Sequence, residues 1–227
     1  MIVFLSVVLL IVSGVFGHTV YAIDRTATAI GVGQHHTCAI LDDGSVKCWG
    51  RNYYGQLGYD DVAQRGSVIG SMASLGSVNL GSGRTATALA LGNGHTCALL
   101  DNNSVKCWGS NGYGQLGYDD TTNRGNTIGS MATVGAVNLG SGRTATAIAA
   151  GSVHTCAILD NGSVKCWGDN TYGQLGYDDT VNRGDTTGSM AILSSVNLGI
   201  GRTATAIAAG GSHTCAILDN NNVKCWG

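Results

Sequence analysis

His-Thr-Cys-Ala-Ile-Leu-Asp-Asn-Gly-Ser-Val-Lys-Cys-Trp-Gly occupies residues 154–168. It holds two short apolar runs on either side of an Asp-Asn-Gly turn, the pattern of a β-hairpin. Near-copies stand at 36–50, 95–109 and 213–227, each 59 residues from the next, with no insertion or deletion between them. Counted from the arginine that opens each copy, the units are 25–83, 84–142, 143–201 and a partial 202–227. A fixed period of this length marks stacked copies of one supersecondary unit.

The turn predicts the register. Its third position is Gly44, Asn103, Gly162 or Asn221, the residues that tolerate a left-handed backbone. A three-residue loop closed by a bulge needs such a residue there. That loop sets Leu159 opposite Ser163 and, counting outward, Cys156 opposite Cys166. The cysteines then form a non-hydrogen-bonded pair, where Cα atoms approach to about 4.5 Å, within disulfide reach. The same register predicts Cys38–Cys48, Cys97–Cys107, Cys156–Cys166 and Cys215–Cys225. Zinc is the poorer reading of these cysteines, because its sites favour shorter spacings.

Around the hairpin, residues 143–150 read as a small-sided inner strand and 195–199 as a short outer one. Between them lie a glycine-punctuated loop, 170–176, and a polar stretch, 177–185. Four short antiparallel strands per unit describe an all-β propeller blade, and the chain supplies about three and a half of them.

Composition agrees. The chain has 36 glycines and no proline among 227 residues, with 11% charged residues and a net charge of −2. Glycine at that density disfavours helical bundles, and the charge offers no basic stripe for nucleic acid. Residues 1–22 begin with an apolar stretch and end in small-residue cleavage points after Gly17 or Ala22. They read as a signal peptide, although no Lys or Arg precedes the apolar stretch. An even set of eight cysteines behind such a leader points to an oxidising compartment, secreted or otherwise extracytoplasmic.

The hairpins and the Gly-Gln-Leu-Gly stretches at 55–58, 114–117 and 173–176 resemble the regulator of chromosome condensation (RCC1) repeat family. The resemblance covers residues 23–227 and implies a β-propeller. Two functional implications compete. Chromatin-bound members of the family act as guanine-nucleotide-exchange regulators of a small GTPase, which conflicts with export. Secreted β-lactamase-inhibiting propellers act by protein contact, which suits the compartment.

The recurrent histidines, His36, His95, His154 and His213, follow the repeat and read as structural, as do the four tryptophans. No nucleophile elbow, phosphate loop or metalloprotease motif occurs. Asp60, Asp61, Gln64, Asp119, Asp120, Asn123, Asp178, Asp179, Asn182 and Asp185 lie in the long loop, where residues vary most between units. They are the expected partner-binding positions. Their spacing does not match a calcium loop, and Arg183-Gly184-Asp185 reads as drift at one variable position. The expected protein is an exported, non-catalytic scaffold that contacts another protein, with no cofactor or metal. Nucleic acid, small molecules and any membrane beyond the leader are not expected partners.

Overall fold

A computed structural model describes residues 25–227; the signal peptide expected at residues 1–22 lies outside them. Four sheets follow one another along the chain, each of three antiparallel strands in sequence order. The first holds β1 (Ala27–Val32), β2 (His36–Leu41) and β3 (Val46–Gly50). The second holds β4 (Ala86–Leu91), β5 (His95–Leu100) and β6 (Val105–Gly109). The third holds β7 (Ala145–Ala150), β8 (His154–Leu159) and β9 (Val164–Gly168). The last holds β10 (Ala204–Ala209), β11 (Thr214–Leu218) and β12 (Val223–Trp226). Among the described residues the one helical piece is α1, a single turn at Ser130–Thr133.

The hairpin register agrees with the turn argument. Leu159 N–H donates to Ser163 O at 2.8 Å, and Gly162 has φ +75°. Asn103 and Asn221 adopt the same left-handed backbone at the matching turn position. Cys156 faces Cys166 with Cα atoms 4.0 Å apart, and all four cysteine pairs are bonded across their hairpins.

One element differs from expectation. The outer segment does not form a fourth strand. It touches the sheet through a single backbone bond per unit, such as Val196 N–H to Val164 O at 2.8 Å. Its valine and leucine turn inward all the same: Val196 and Leu198 are buried in one core cluster with Cys156 and Cys166. Burial of alternate side chains anchors the segment, and the ladder does not.

Strand alternation decides how the sheets stack. In β2, Cys38 and Ile40 point to one face and Ala39 to the other. The Cys38–Cys48 face joins a buried cluster with Ala98, Leu100 and Trp108 of the following unit. The cluster at the next boundary repeats the pattern with Cys97, Cys107, Ala157 and Trp167. Alanine at 98 and 157 lets the disulfide approach the next sheet closely, and tryptophan fills the rest. Trp108, Trp167 and Trp226 therefore each pack beside the preceding unit's disulfide. The two outermost sheet faces have no such cover among the described residues. Val32 is 71% exposed at one end and Val223 64% exposed at the other.

Candidate protein-interaction face

Each long loop is built around a buried asparagine. In the second unit Asn111 Nδ2 donates to Asp120 O at 2.8 Å and to Asp120 Oδ1 at 3.1 Å. Its Oδ1 accepts Leu116 N–H at 2.9 Å. Arg124 Nη2 meets the other carboxylate oxygen of Asp120 at 2.6 Å, and its guanidinium lies over the Tyr118 ring at 5.5 Å. Asn52 with Asp61 and Arg65, and Asn170 with Asp179 and Arg183, repeat the arrangement. An amide and a guanidinium thus satisfy the oxygens that a cation would otherwise need. Among the described residues no cluster of three acidic, histidine or cysteine side chains has metal-binding geometry.

The expected binding positions fall into four groups. Asp61, Asp120 and Asp179 hold their own loops. Asn123 and Asn182 accept the backbone N–H of Asn111 and Asn170 at 2.9 and 3.0 Å. Asp60 and Asp119 cross to the following unit: Asp119 Oδ1 accepts Ser189 Oγ–H at 2.9 Å and Met190 N–H at 2.7 Å. Gln64 reaches the Tyr53 hydroxyl from an exposed position, Asp185 is half-buried, and Asp178 is exposed. The structure does not gather these residues into one cleft. It repeats them from unit to unit, leaving tips such as Val62, Thr121 and Val181 in solvent.

Removing Asp119 tests this division. Asp119→Ala strips the acceptor from a buried boundary and is expected to cost about 1–3 kcal/mol. Asp178→Ala, which touches no following unit's serine or methionine among the described residues, is expected to stay within about 0.5 kcal/mol. Urea unfolding of both variants checks it, and equal losses would remove the boundary role.

The histidines form a second inter-unit system. Thr96 Oγ1 donates to Gln56 O at 2.9 Å, so its lone pair receives His36 Nε2–H at 2.7 Å. Trp108 Nε1–H donates to the same carbonyl at 3.0 Å. His95 with Thr155 and Gln115, and His154 with Thr214 and Gln174, repeat the relay. The tautomer follows: Nε2 carries the proton, and Nδ1 is left with no protein partner in all three rings. Burial pushes His36 and His154 down to about 4 and His95 down to about 3, with neighbouring histidines adding to the effect at His36 and His95. Glycine is required beside each ring. A Cβ on Gly33 would lie 2.5 Å from Gly92 O and 2.8 Å from His36 Cε1.

Sequence reading marked the histidines and tryptophans as structural but missed their common acceptor, the Gln56, Gln115 and Gln174 carbonyls. It also missed the asparagines at 52, 111 and 170. Their recurrence every 59 residues was the available signal.

Stacked, disulfide-stapled sheets locked by one relay per boundary define a β-propeller repeat module. The regulator of chromosome condensation (RCC1) repeat profile matches residues 27–56, 86–115, 145–174 and 204–227, half of the chain. The chain belongs to the RCC1 repeat family. Among curated relatives, the human E3 ubiquitin-protein ligase HERC2 is 30% identical over 210 residues, covering 91% of this chain and 4% of the relative. The rat probable E3 ubiquitin-protein ligase HERC4 is 28% identical over 200 residues, covering 87% of this chain and 17% of the relative. The chain therefore spans less than a fifth of the length of these relatives. Among solved structures, human WBSCR16 superposes with a TM-score of 0.68 at 20% identity, over 90% of this chain and 48% of the other. Yeast RCC1 (Prp20) bound to Kap60 gives 0.65 at 18%, over 89% of this chain and 42% of the other. A third structure, of Prp20p from Saccharomyces cerevisiae, is described with its binding properties to Gsp1p and histones. At these identities the likeness establishes the fold.

Proposed function

We propose that this chain is an exported, non-catalytic propeller scaffold that engages another protein through its exposed loop tips. The four hairpin disulfides carry the export reading, because such bonds persist in oxidising compartments. They also weigh against a nuclear exchange-factor role. The scaffold reading draws on the polar side chains of the relay and the loop braces, which serve other parts of the same fold. What remains exposed is the variable tips: Val62-Ala63-Gln64, Thr121-Thr122 and Thr180-Val181, with Ser67, Asn126 and Asp185 nearby. A protein partner is in keeping with the solved family members described with Kap60, Gsp1p and histones.

A loop exchange tests the proposal. Replacing Val62-Ala63-Gln64 with Thr-Thr-Asn is expected to change what a pull-down recovers while moving stability by no more than about 0.5 kcal/mol, the scale of surface changes. Recovery of the same partners by the exchanged and original chains would remove the tips from the interface. Alkylation of the protein taken from its native compartment tests the export reading: all eight cysteines are expected to be protected until reduction.

A further inference from the structure

The sequence holds two Asn-x-Ser/Thr triads, and the repeat puts both at one position. Asn102-Asn103-Ser104 and Asn161-Gly162-Ser163 form the turns of the second and third hairpins. Such a triad supplies the carboxamide nitrogen that accepts an oligosaccharide and, two residues on, the hydroxyl that the transfer requires.

The fold leaves room for the product. Asn102 and Asn161 are both exposed. The middle residues, Asn103 and Gly162, take left-handed backbone at φ 63° and 75°, which folds each triad back on itself. Ser104 N–H and Oγ–H donate to Asn102 Oδ1 at 3.2 and 2.7 Å. Ser163 N–H and Oγ–H donate to Asn161 Oδ1 at 3.1 and 2.8 Å. The turn thus holds the oxygen of each carboxamide, and Nδ2 has no protein acceptor among the described residues. Substituting that nitrogen breaks no protein contact. The buried amides of Asn52, Asn111 and Asn170, by contrast, are spent on their own loops. The other two hairpins build the same turn without the chemistry. Asp43 accepts Ser45 N–H at 3.0 Å but carries no amide nitrogen. Asn220 accepts Asn222 N–H at 3.1 Å, and Asn222 brings no hydroxyl.

We propose that Asn102 and Asn161 are N-glycosylated as the chain is exported. The donor is an oligosaccharide carried on a polyprenyl diphosphate, and the transferase is that of the secretory pathway. Asparagine Nδ2 bonds to C1 of the first sugar and gives up one of its two protons. The C1–O bond breaks, and the lipid diphosphate leaves. The inference rests on the export reading and deepens it. β6 and β9 start at these turns and run away from them to Gly109 and Gly168, where the long loops leave the sheets. The glycans therefore stand at the end of the sheets opposite the loop tips. They shield that rim and leave the tips as the face open to a protein.

Protein taken from its native compartment is treated with a peptide N-glycosidase in heavy-oxygen water and mapped. Residues 102 and 161 are expected as heavy-oxygen aspartate, with the intact mass falling by two oligosaccharides. An unmodified asparagine at either position, in a chain whose eight cysteines are protected from alkylation, overturns its assignment. Free thiols in the same sample overturn the export reading, so the two failures are distinguishable. Variants of the full chain secreted from cultured eukaryotic cells test the turn. Ser104→Ala and Asn102→Gln should each remove the same single glycan, and Asp43→Asn should add one. Secretion of each variant in the amount of the parent shows that a lost glycan is not misfolding. A Ser104→Ala chain that keeps every glycan, or an Asp43→Asn chain that gains none, overturns the proposal.

Discussion

Trp167→Ala is expected to lower stability by roughly 3–5 kcal/mol, the cost of emptying a large aromatic site in a core that only partly collapses. Trp167 is fully buried, shares a cluster with Cys97 and Cys107 of the preceding unit, and donates to Gln115 O at 3.0 Å. The repeat supplies a control within the same molecule. Trp49 holds the equivalent position in the first unit but is only half-buried, with no preceding sheet among the described residues. Trp49→Ala should therefore cost well under half as much. Urea unfolding at fixed pH measures both losses from the midpoint at constant slope. Similar losses would mean that the tryptophan serves its own hairpin and not the boundary between sheets.

Acidification from pH 7 to pH 5 is expected to remove about 2 kcal/mol for each of three histidines by proton linkage. His36 and His154 are held near 4 and His95 near 3 by burial, against 6.5 for an ordinary imidazole. A pKa lowered on folding means that the unfolded chain binds the proton first. The stabilisation is complete above pH 6.5, declines as pH falls towards 4, and changes little further once the folded rings titrate. The structural cause is plain. The Nε2 proton is committed to a threonine, and a second proton on Nδ1 would have no protein acceptor. Unfolding midpoints at pH 7, 6, 5 and 4 test this, with the imidazole resonances of the folded state followed in parallel. A midpoint that stays level between pH 7 and pH 5 contradicts the relay. The window lies above the ordinary carboxylate range, so the exposed Arg–Asp pairs, such as Arg143–Asp160 at 3.1 Å, are not its source.

The two predictions divide along the line between local and tertiary structure. The tryptophan is conspicuous in every copy of the repeat, but its neighbour is not. Only stacking reveals that the disulfide beside it belongs to the unit before. The histidine is equally conspicuous, yet its partner Thr96 lies 60 residues away in the next unit, and that threonine is itself fixed by Gln56 O of the histidine's own unit. No local pattern links such positions. The acidic pair shows the same limit. Asp119 and Asp120 are adjacent and chemically alike, but one braces its own loop and the other holds the next unit. As a pair they read as a solvent-facing binding loop.

The sequence by itself determined what is short-range and periodic. The 59-residue repeat specified four copies of one unit. Short apolar runs on either side of a turn specified strands, and a glycine or asparagine at the third turn position specified the hairpin register. From that register followed Cys156 opposite Cys166, because pairing in a hairpin is counted outward from its turn. Tertiary structure alone decided the outer segment, which is anchored by Val196 and Leu198 in the core and not by a ladder. It also decided the bulge in the inner strand, where Ala145 pairs with Leu159 but Ala147 with Ile158. Thr146 is the extra residue there, bonded back to Ile158 O at 3.3 Å, and nothing in an alternating Thr-Ala run marks it. Above all, tertiary structure decided which polar groups are free. A carboxylate or imidazole looks the same in sequence whether it faces water or a neighbouring sheet, and its partner is fixed by how the sheets stack.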